Sequence, residues 1–497
     1  MKNFKISFPA YKKELQALEG SSLFECIARA GILIKNPCAG QGICGKCKIR
    51  IISGKSEPAP ECREFFSSDE ISAGWRLACR VKIFDNIEVE IPPETSFENE
   101  LLVLTQDDNP IKMELDPFVK KKEFEISPPS LENNKADFQG LRESLDISEA
   151  DIELLRKIPQ FLRENNFKGT AAICGKRLVS IEAGSESANF AIAVDLGTTS
   201  IVASLIDVNT GRVVDSKGTL NPQVRFGDDV LSRIMSHKSD RENLLKLQRD
   251  AIKAFNELVS KLCAGNGISQ DKIYSAAIAG NTAMECFFCG VSAEYLGEIP
   301  FVPPFKKSLV FKASDFGMRI NPSSPVYIFP LIGGFVGGDI VSGISACRLD
   351  EKQKPTLFID IGTNGEIVVA AGGKLYAASA AAGPAFEGAR IECGMRAAPG
   401  AIEKVVFSED GVNMNIIKSK HPSGICGSAI IDVVAELLKW GILEESGRMK
   451  SPDELPADCP KALRDKLFSD DGGCSWDFML TSDAGKKIFI RQKDVRE

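Results

Sequence analysis

The stretch NFAIAVDLGTTS, residues 189–200, sets an apolar run of strand length ahead of Asp195, Gly197 and two threonines. TLFIDIGTNGE, at 356–366, repeats it: Asp195, Gly197 and Thr198 match Asp360, Gly362 and Thr363. Repeats this far apart mark a duplicated domain rather than a solenoid. Each copy reads as strand, tight turn and further strand, and alternating strand-like and helix-like segments follow, as in α/β layers. An Asp at the end of a buried strand, beside a Gly–Thr turn, stands next to exposed backbone N–H groups. Gly admits phosphate oxygens to the backbone, Thr hydroxyls add donors, and Asp holds Mg2+ directly or through water. Asp195 and Asp360 are therefore the candidates for Mg2+ and water positioning. Gly197, Thr198, Thr199, Gly362, Thr363 and Asn364 are the candidates for phosphate contact.

A second motif lies near the start. PCAGQGICGKC, 37–47, spaces Cys38, Cys44 and Cys47 as C-x5-C-x2-C. Three clustered cysteines need a fourth ligand for zinc or for an iron–sulfur cluster, and Cys62 and Cys79 lie downstream. Zinc ribbons pair two C-x2-C knuckles, whereas this region has one. Gly40, Gly42 and Gly45 suit a loop whose amides turn toward cluster sulfurs. Cys26 falls in a helical segment and reads as a small buried residue. Cys286 and Cys289 flank two phenylalanines and read as packing.

Composition narrows the chemistry further. A chain of 497 residues divides into about three or four domains. The net charge of −7, without a basic cluster, argues against nucleic acid as a partner. Fifteen cysteines without an apolar leader favour metal or redox ligation over disulfides and imply a cytoplasmic protein. The apolar stretches around 325–347 and 367–386 are broken by Pro330, Asp339, Lys374 and glycines, so no membrane helix is expected. Only His237 and His421 are present, which disfavours a Ser–His triad, a His-rich zinc site and a Rieske centre.

The segmentation follows. Residues 1–93 alternate β-like runs (FKISF, CKIRII, NIEVEIP) with one helix, for which Ser22 and Glu25 form a capping-box pattern and Gly31 a stop. Pro92-Pro93 marks a boundary. Residues 94–188 read as a linker and small middle domain, with a short helix opened by Ser148 and strands at TAAIC and RLVSIEA. Residues 189–497 hold the duplicated half. There AGNTAM, 279–284, reads equally as a cleft-lining turn and as an ordinary N-cap. Glu366 reads as an exposed strand position, and 383–403 as a Gly-rich loop.

The cysteine loop, with a distant cysteine in RLAC, resembles β-grasp [2Fe–2S] ferredoxins of adrenodoxin-like spacing. That resemblance implies Cys38, Cys44, Cys47 and Cys79 as ligands and leaves Cys62 out. The duplicated half resembles the ASKHA superfamily (acetate and sugar kinases, Hsp70, actin). It implies an actin-like, ribonuclease H-like ATPase fold, with ATP, Mg2+ and an adenosine loop at Gly424-Ile-Cys-Gly427. The fold class expected is thus multidomain α+β and α/β. Over the whole chain, the order of domains and the segments PLIGGFVGGD and SGICGSAIIDVVAEL resemble the reductive activators of corrinoid proteins. The resemblance implies ATP-dependent return of Co(II) to Co(I) on a corrinoid protein, an external reductase as electron donor, and a homodimer. Neither histidine stands in D-x-H-x-x-G, so the corrinoid is expected in trans. The chain ends at QKDVRE, the first turn of a helix, and the resemblance implies that the second ASKHA half continues further. The rival readings are an activator of another low-potential metalloenzyme, an ASKHA small-molecule kinase with a redox-regulatory ferredoxin, and a zinc-holding scaffold.

Overall fold

The computed structural model describes residues 2–496 except 33, 35–37, 39, 41, 93–94, 96–114, 363, 382–390, 396 and 484–485. Thr363, Pro93 and residues 383–390 and 396 of the expected loop at 383–403 therefore lie outside the described residues. By its contacts the chain divides into two compact units, one within residues 1–347 and one over 348–497.

The first unit opens with β1 (Asn3–Phe8), β2 (Lys13–Leu18), α1 (Leu23–Arg29), β3 (Lys48–Ser53), α2 (Cys62–Phe65), α3 (Ser68–Ser72), β4 (Trp75–Leu77) and β5 (Ile87–Glu90). The sheet order is β2-β1-β5-β3-β4, with β1 and β5 parallel at its centre, the β-grasp arrangement. Ile6, Phe8, Ile49 and Val89 alternate inward and pack on Leu23, Cys26 and Ile27 of α1. Gly31 closes α1 at φ +68°, as its position predicted. The capping box at Ser22 does not form. Ser22 is the N-cap residue, but its side chain makes no cap hydrogen bond. The backbone on either side pairs instead with the strand-like run 81–83, through Ile83 N–H to Ser21 O and Leu23 N–H to Val81 O. A true box opens α3, where Ser67 and Glu70 bond reciprocally.

Next come β6 (Lys120–Glu125), α4 (Asp137–Leu145), β7 (Glu149–Ala150), α5 (Ile152–Glu164), β8 (Lys168–Cys174) and β9 (Arg177–Glu182), with sheet order β6-β8-β9-β7. The helix expected to open at Ser148 starts after Asp151 instead, because Glu149 and Ala150 pair with Arg177 and Leu178 as a strand. The Asp151 carboxylate takes no cap bond and pairs with Arg177 and Lys312.

The DLGTTS half builds β10 (Phe190–Leu196), β11 (Ser200–Asp207), β12 (Arg212–Leu220), α6 (Val230–Ser239), α7 (Glu242–Asn266), β13 (Ile273–Gly280), α8 (Thr282–Cys289), β14 (Leu309–Lys312), α9 (Ala313–Phe316), β15 (Pro325–Ile328) and α10 (Gly338–Ala346). The sheet runs β12-β11-β10-β13-β15-β14, with β10, β13 and β15 parallel. Along α7, Leu247, Ala251, Phe255, Leu258 and Leu262 recur at helical spacing and bury against this sheet. Cys286 lies in the same core, with Cys289 packed on its margin, as expected of packing residues.

The second unit carries β16 (Thr356–Ile361), β17 (Asn364–Ala371), β18 (Lys374–Ala381), β19 (Ala401–Ser408), β20 (Gly411–Ile416), β21 (Gly424–Ile425), α11 (Gly427–Lys439), α12 (Lys461–Arg464), β22 (Leu467–Phe468), β23 (Asp477–Asp483), β24 (Lys486–Ile490) and α13 (Gln492–Arg496). Its sheets are β16-β17-β18, β20-β19-β21 and β22-β23-β24. Its core gathers Val405, Phe407, Val433 and Leu437 with Phe478. Among the described residues no helix is long and apolar enough to cross a membrane.

Within the first unit an ion network ties the 120–182 sheet to the DLGTTS sheet. Glu182 takes Lys121 and Lys272, each at 2.5 Å, and also the Tyr274 hydroxyl. Burial opposes its charge, but the two ammonium groups outweigh burial and hold its carboxyl below the ordinary value. That contribution to stability is complete above the unfolded value, about 4.3, and is lost as pH falls through the lower folded value. Glu182→Gln takes the carboxylate from Lys121 and leaves Lys272 paired with Glu186 alone. It is expected to destabilise the unit by about 3 kcal/mol at pH 7 and to flatten the acid limb of a denaturation profile.

Candidate cluster and nucleotide sites

Cys38 and Cys44 stand on the loop between α1 and β3, Cys47 just before β3, and Cys79 just after β4. The β3–β4 pairing sets Lys48 opposite Leu77 and so brings Cys47 to Cys79. Their sulfurs are 3.4 Å apart, and the Cys38 and Cys44 thiols are hydrogen-bonded to each other. The four thiols thus form two pairs. Among the described residues no three His, Cys, Asp or Glu side chains gather as ligands of a single ion. Two thiolates for each of two irons is what a [2Fe–2S] cluster takes, so these residues fit that group.

The electrostatics split each pair into one thiol that ionises more easily and one that ionises less easily. The Cys79 thiol and nearby backbone amides hold Cys47 down to about 7, against the cost of burial. Burial opposes ionisation of Cys38, but the Cys44 thiol and the amides of residues 42–44 bring it below its usual value. Burial lifts Cys44 to about 11, and the bond to Cys47 lifts Cys79. Gly40, Gly42 and Gly45 all have positive φ. A Cβ on Gly42 would lie 2.2 Å from Arg80 Nε, so this glycine lets the guanidinium cover the loop. Cys62, the other downstream cysteine, is buried in the core on α2, as is Cys26 on α1.

At the carboxyl ends of β10, β13 and β15 a second site takes shape. The DLGTTS hairpin turns at Gly197, where a Cβ would sit 2.7 Å from Ser200 O. Its carbonyls are held from the core side. Asn221 Nδ2 donates to Gly197 O (2.8 Å), Asn221 N–H to Thr199 O (2.9 Å), and Arg233 Nη2 to Thr198 O (2.5 Å). Asn221 and Arg233 are both fully buried. Asn281 does two things at once: its Oδ1 caps α8 through Met284 N–H, and its Nδ2 donates to Thr198 Oγ1 at 2.9 Å. The N-cap reading of AGNTAM is correct, and the same side chain also reaches the DLGTTS turn. Asp195 is exposed at the end of β10, where ligands approach open α/β sheets.

The second copy has the same local form. Asp360, exposed near the end of β16, sits opposite Glu366 on β17, and Gly362 N–H donates to Asn364 O to close the turn. Glu366 is not the exposed strand residue expected. It faces inward, Ser379 Oγ donates to it at 3.0 Å, and burial with the neighbouring Asp360 raises its carboxyl. Gly424 and Gly427 belong to another sheet and its helix: Gly424 pairs with Ala401, and Gly427 is the first residue of α11. A Cβ at Gly424 would press on Cys393 O at 2.8 Å.

Three residues at the first turn escaped sequence reasoning. Asn221 lies in an ordinary-looking Asn-Pro turn, and Arg233 sits in a helix whose charges read as solvated. Asp339 was legible only as a break in an apolar stretch. Gly337 brings it in, since a Cβ there would lie 2.5 Å from Asn281 Cα.

These features define a [2Fe–2S] ferredoxin domain joined to a duplicated actin-like domain. Four family models match in series: a 2Fe-2S iron-sulfur cluster binding domain over residues 10–83, the RACo linker region over 109–188, the RACo middle region over 190–352, and the C-terminal domain of RACo, the ASKHA domain, over 354–497. A solved structure, a reductive activator for a corrinoid, iron–sulfur protein, is 32% identical with a TM-score of 0.68, covering 99% of this chain and 80% of that one. The corrinoid activation enzyme RamQ of Eubacterium limosum is 29% identical over 99% of this chain and 80% of its own length. A Methanosarcina barkeri reductase of a Co(II) methylated-amine-specific corrinoid protein is 25% identical over 52% of each chain. The chain belongs to the reductive activators of corrinoid proteins.

Cys79→Ser is expected to lower iron content and bleach the visible absorption of the cluster. Cys62→Ser should leave both unchanged, and equal losses in the two variants would refute the assignment.

Proposed function

We propose that this protein returns a Co(II) corrinoid protein to Co(I), under control of Mg-ATP. The observation that carries the reading is one chain holding both two facing thiol pairs and two D-x-G-T turns. A bound [2Fe–2S] cluster supplies one electron, which is the difference between Co(II) and Co(I). Plant-type clusters lie near −400 mV, and each 59 mV of uphill transfer costs a factor of ten for one electron. A very low-potential acceptor therefore needs a second source of free energy.

The chain's own residues divide the work. Cys38, Cys44, Cys47 and Cys79 hold the carrier. Ile43, 68% exposed in the same loop, offers an apolar approach for the donor and acceptor proteins. Asp195 and Asp360 position Mg2+ and water. Gly197, Thr198, Thr199, Gly362, Thr363 and Asn364 take the phosphates, and the α11 start at Gly424–Gly427 takes the adenosine end. The two turns stand on separate compact units, each with its own Asp and Gly. An external reductase reloads the cluster, the acceptor binds in trans, and the working form is a cytoplasmic homodimer.

The test mixes reduced protein with a Co(II) corrinoid protein, with and without Mg-ATP, and follows the Co(I) spectrum. Conversion is expected only with Mg-ATP. Asp360→Ala and Asp195→Ala should each lower it at least tenfold with the cluster spectrum intact. Nucleotide hydrolysis stimulated by a small metabolite and not by any corrinoid protein would refute the proposal in favour of a kinase.

A further inference from the structure

Glu285, on α8, has no place in the nucleotide contacts above, yet it is the acidic side chain built most deeply into that edge. Its side chain is fully buried. Oε1 accepts from Gly280 N–H at 3.2 Å, at the carboxyl end of β13. Oε2 is buried and has no hydrogen-bond partner among the described residues. The carboxyl lies directly under the start of α10, since a Cβ on Gly338 would come within 2.0 Å of Oε1. Gly337, one residue earlier, packs on Gly280, Asn281 and Thr282, and Thr282 Oγ1 donates to Gly333 O. Glu285 thus props the glycine turn that carries Asp339 to the same edge as Thr198 and Asp195.

We propose that Glu285 is a positioning residue, a neutral buried carboxyl that seats the Gly337–Asp339 turn against the first phosphate turn, and whose ionisation unseats it. The proposal rests on the nucleotide-site reading above. A carboxylate there would carry an uncompensated charge beside a second one. Burial, reinforced by the charge of Asp339, lifts the Glu285 carboxyl to about 9, so it keeps its proton at neutral pH. Among the described residues no cation is hydrogen-bonded or ion-paired to its carboxyl. α10 brings Asp339, β13 brings a backbone amide, and its own helix brings the thiols Cys286 and Cys289, both pushed up by burial. From α6, Arg233 engages Met284 and the first phosphate turn. From α7, the neutral Gln248 bonds to Phe288 O.

Sign and size follow from linkage. Between the unfolded value, about 4.3, and about 9 the folded state holds one proton more than the unfolded chain, so stability declines with rising pH across that window. Above about 9, binding that needs the neutral form weakens about tenfold per pH unit.

The experiment measures Mg-ATP affinity of the full chain by calorimetric titration from pH 7 to 10, for wild type, Glu285→Gln and Glu285→Ala. Wild type is expected to lose affinity above pH 9. Glu285→Gln, which keeps shape and neutrality, should bind within a few-fold of wild type at pH 7 and lack the alkaline loss. Glu285→Ala should bind at least tenfold more weakly throughout. Loss of binding by a folded Glu285→Gln at pH 7, or an alkaline limb identical to wild type, overturns the proposal. Denaturation midpoints give a readout without nucleotide: equal pH slopes for wild type and Glu285→Gln between pH 5 and 9 also overturn it. A wild type that binds no Mg-ATP at pH 7 refutes the nucleotide reading itself, and this proposal with it.

Discussion

The grip of Asn221, Arg233 and Asn281 on the turn after β10 is the constraint on which the proposed nucleotide edge depends. Three side chains from separate stretches reach the same few atoms, and two of them are fully buried. A buried guanidinium is costly to desolvate and persists only where hydrogen bonds compensate it. Arg233 donates to Thr198 O and Gly227 O, so the turn is ordered only when α6 and the segment before it are in place. Local sequence makes the hairpin, and the surrounding core fixes its peptide planes.

The cluster loop follows a different logic. It is ordered by glycine conformation and by strand register rather than by buried polar side chains. Positive φ at Gly40, Gly42 and Gly45 turns the loop back on itself, and the β3–β4 ladder sets Cys47 against Cys79. Arg80 extends across the loop and pairs with Glu61 at 3.1 Å, placing a cation beside the candidate ligand Cys79. The chain therefore carries a locally determined cysteine loop and a globally determined DLGTTS turn.

Much of this was legible in the sequence because the signals were periodic or spaced. Alternating apolar residues gave the strands, the duplicated D-x-G-T gave both turns, and the ferredoxin resemblance pointed to the four cysteines that the fold gathers as two pairs. What escaped were features settled by tertiary contact. Ser22 has the residue type of a cap, but its neighbours' backbone joins a strand pairing. Glu366 looks like a surface residue until the hairpin turns it inward toward Ser379. Glu285 and Arg233 are charged residues on helices, where the ordinary expectation is a solvated face, and only the packed structure shows both fully buried.

The most direct measurement follows both ends of the electron transfer in one mixture: bleaching or recovery of the cluster absorption together with the appearance of Co(I). The account predicts one electron lost from the cluster for each Co(I) formed, and both changes only when Mg-ATP is present. Co(I) appearing at the same rate without nucleotide, or without matching reoxidation of the cluster, would contradict it.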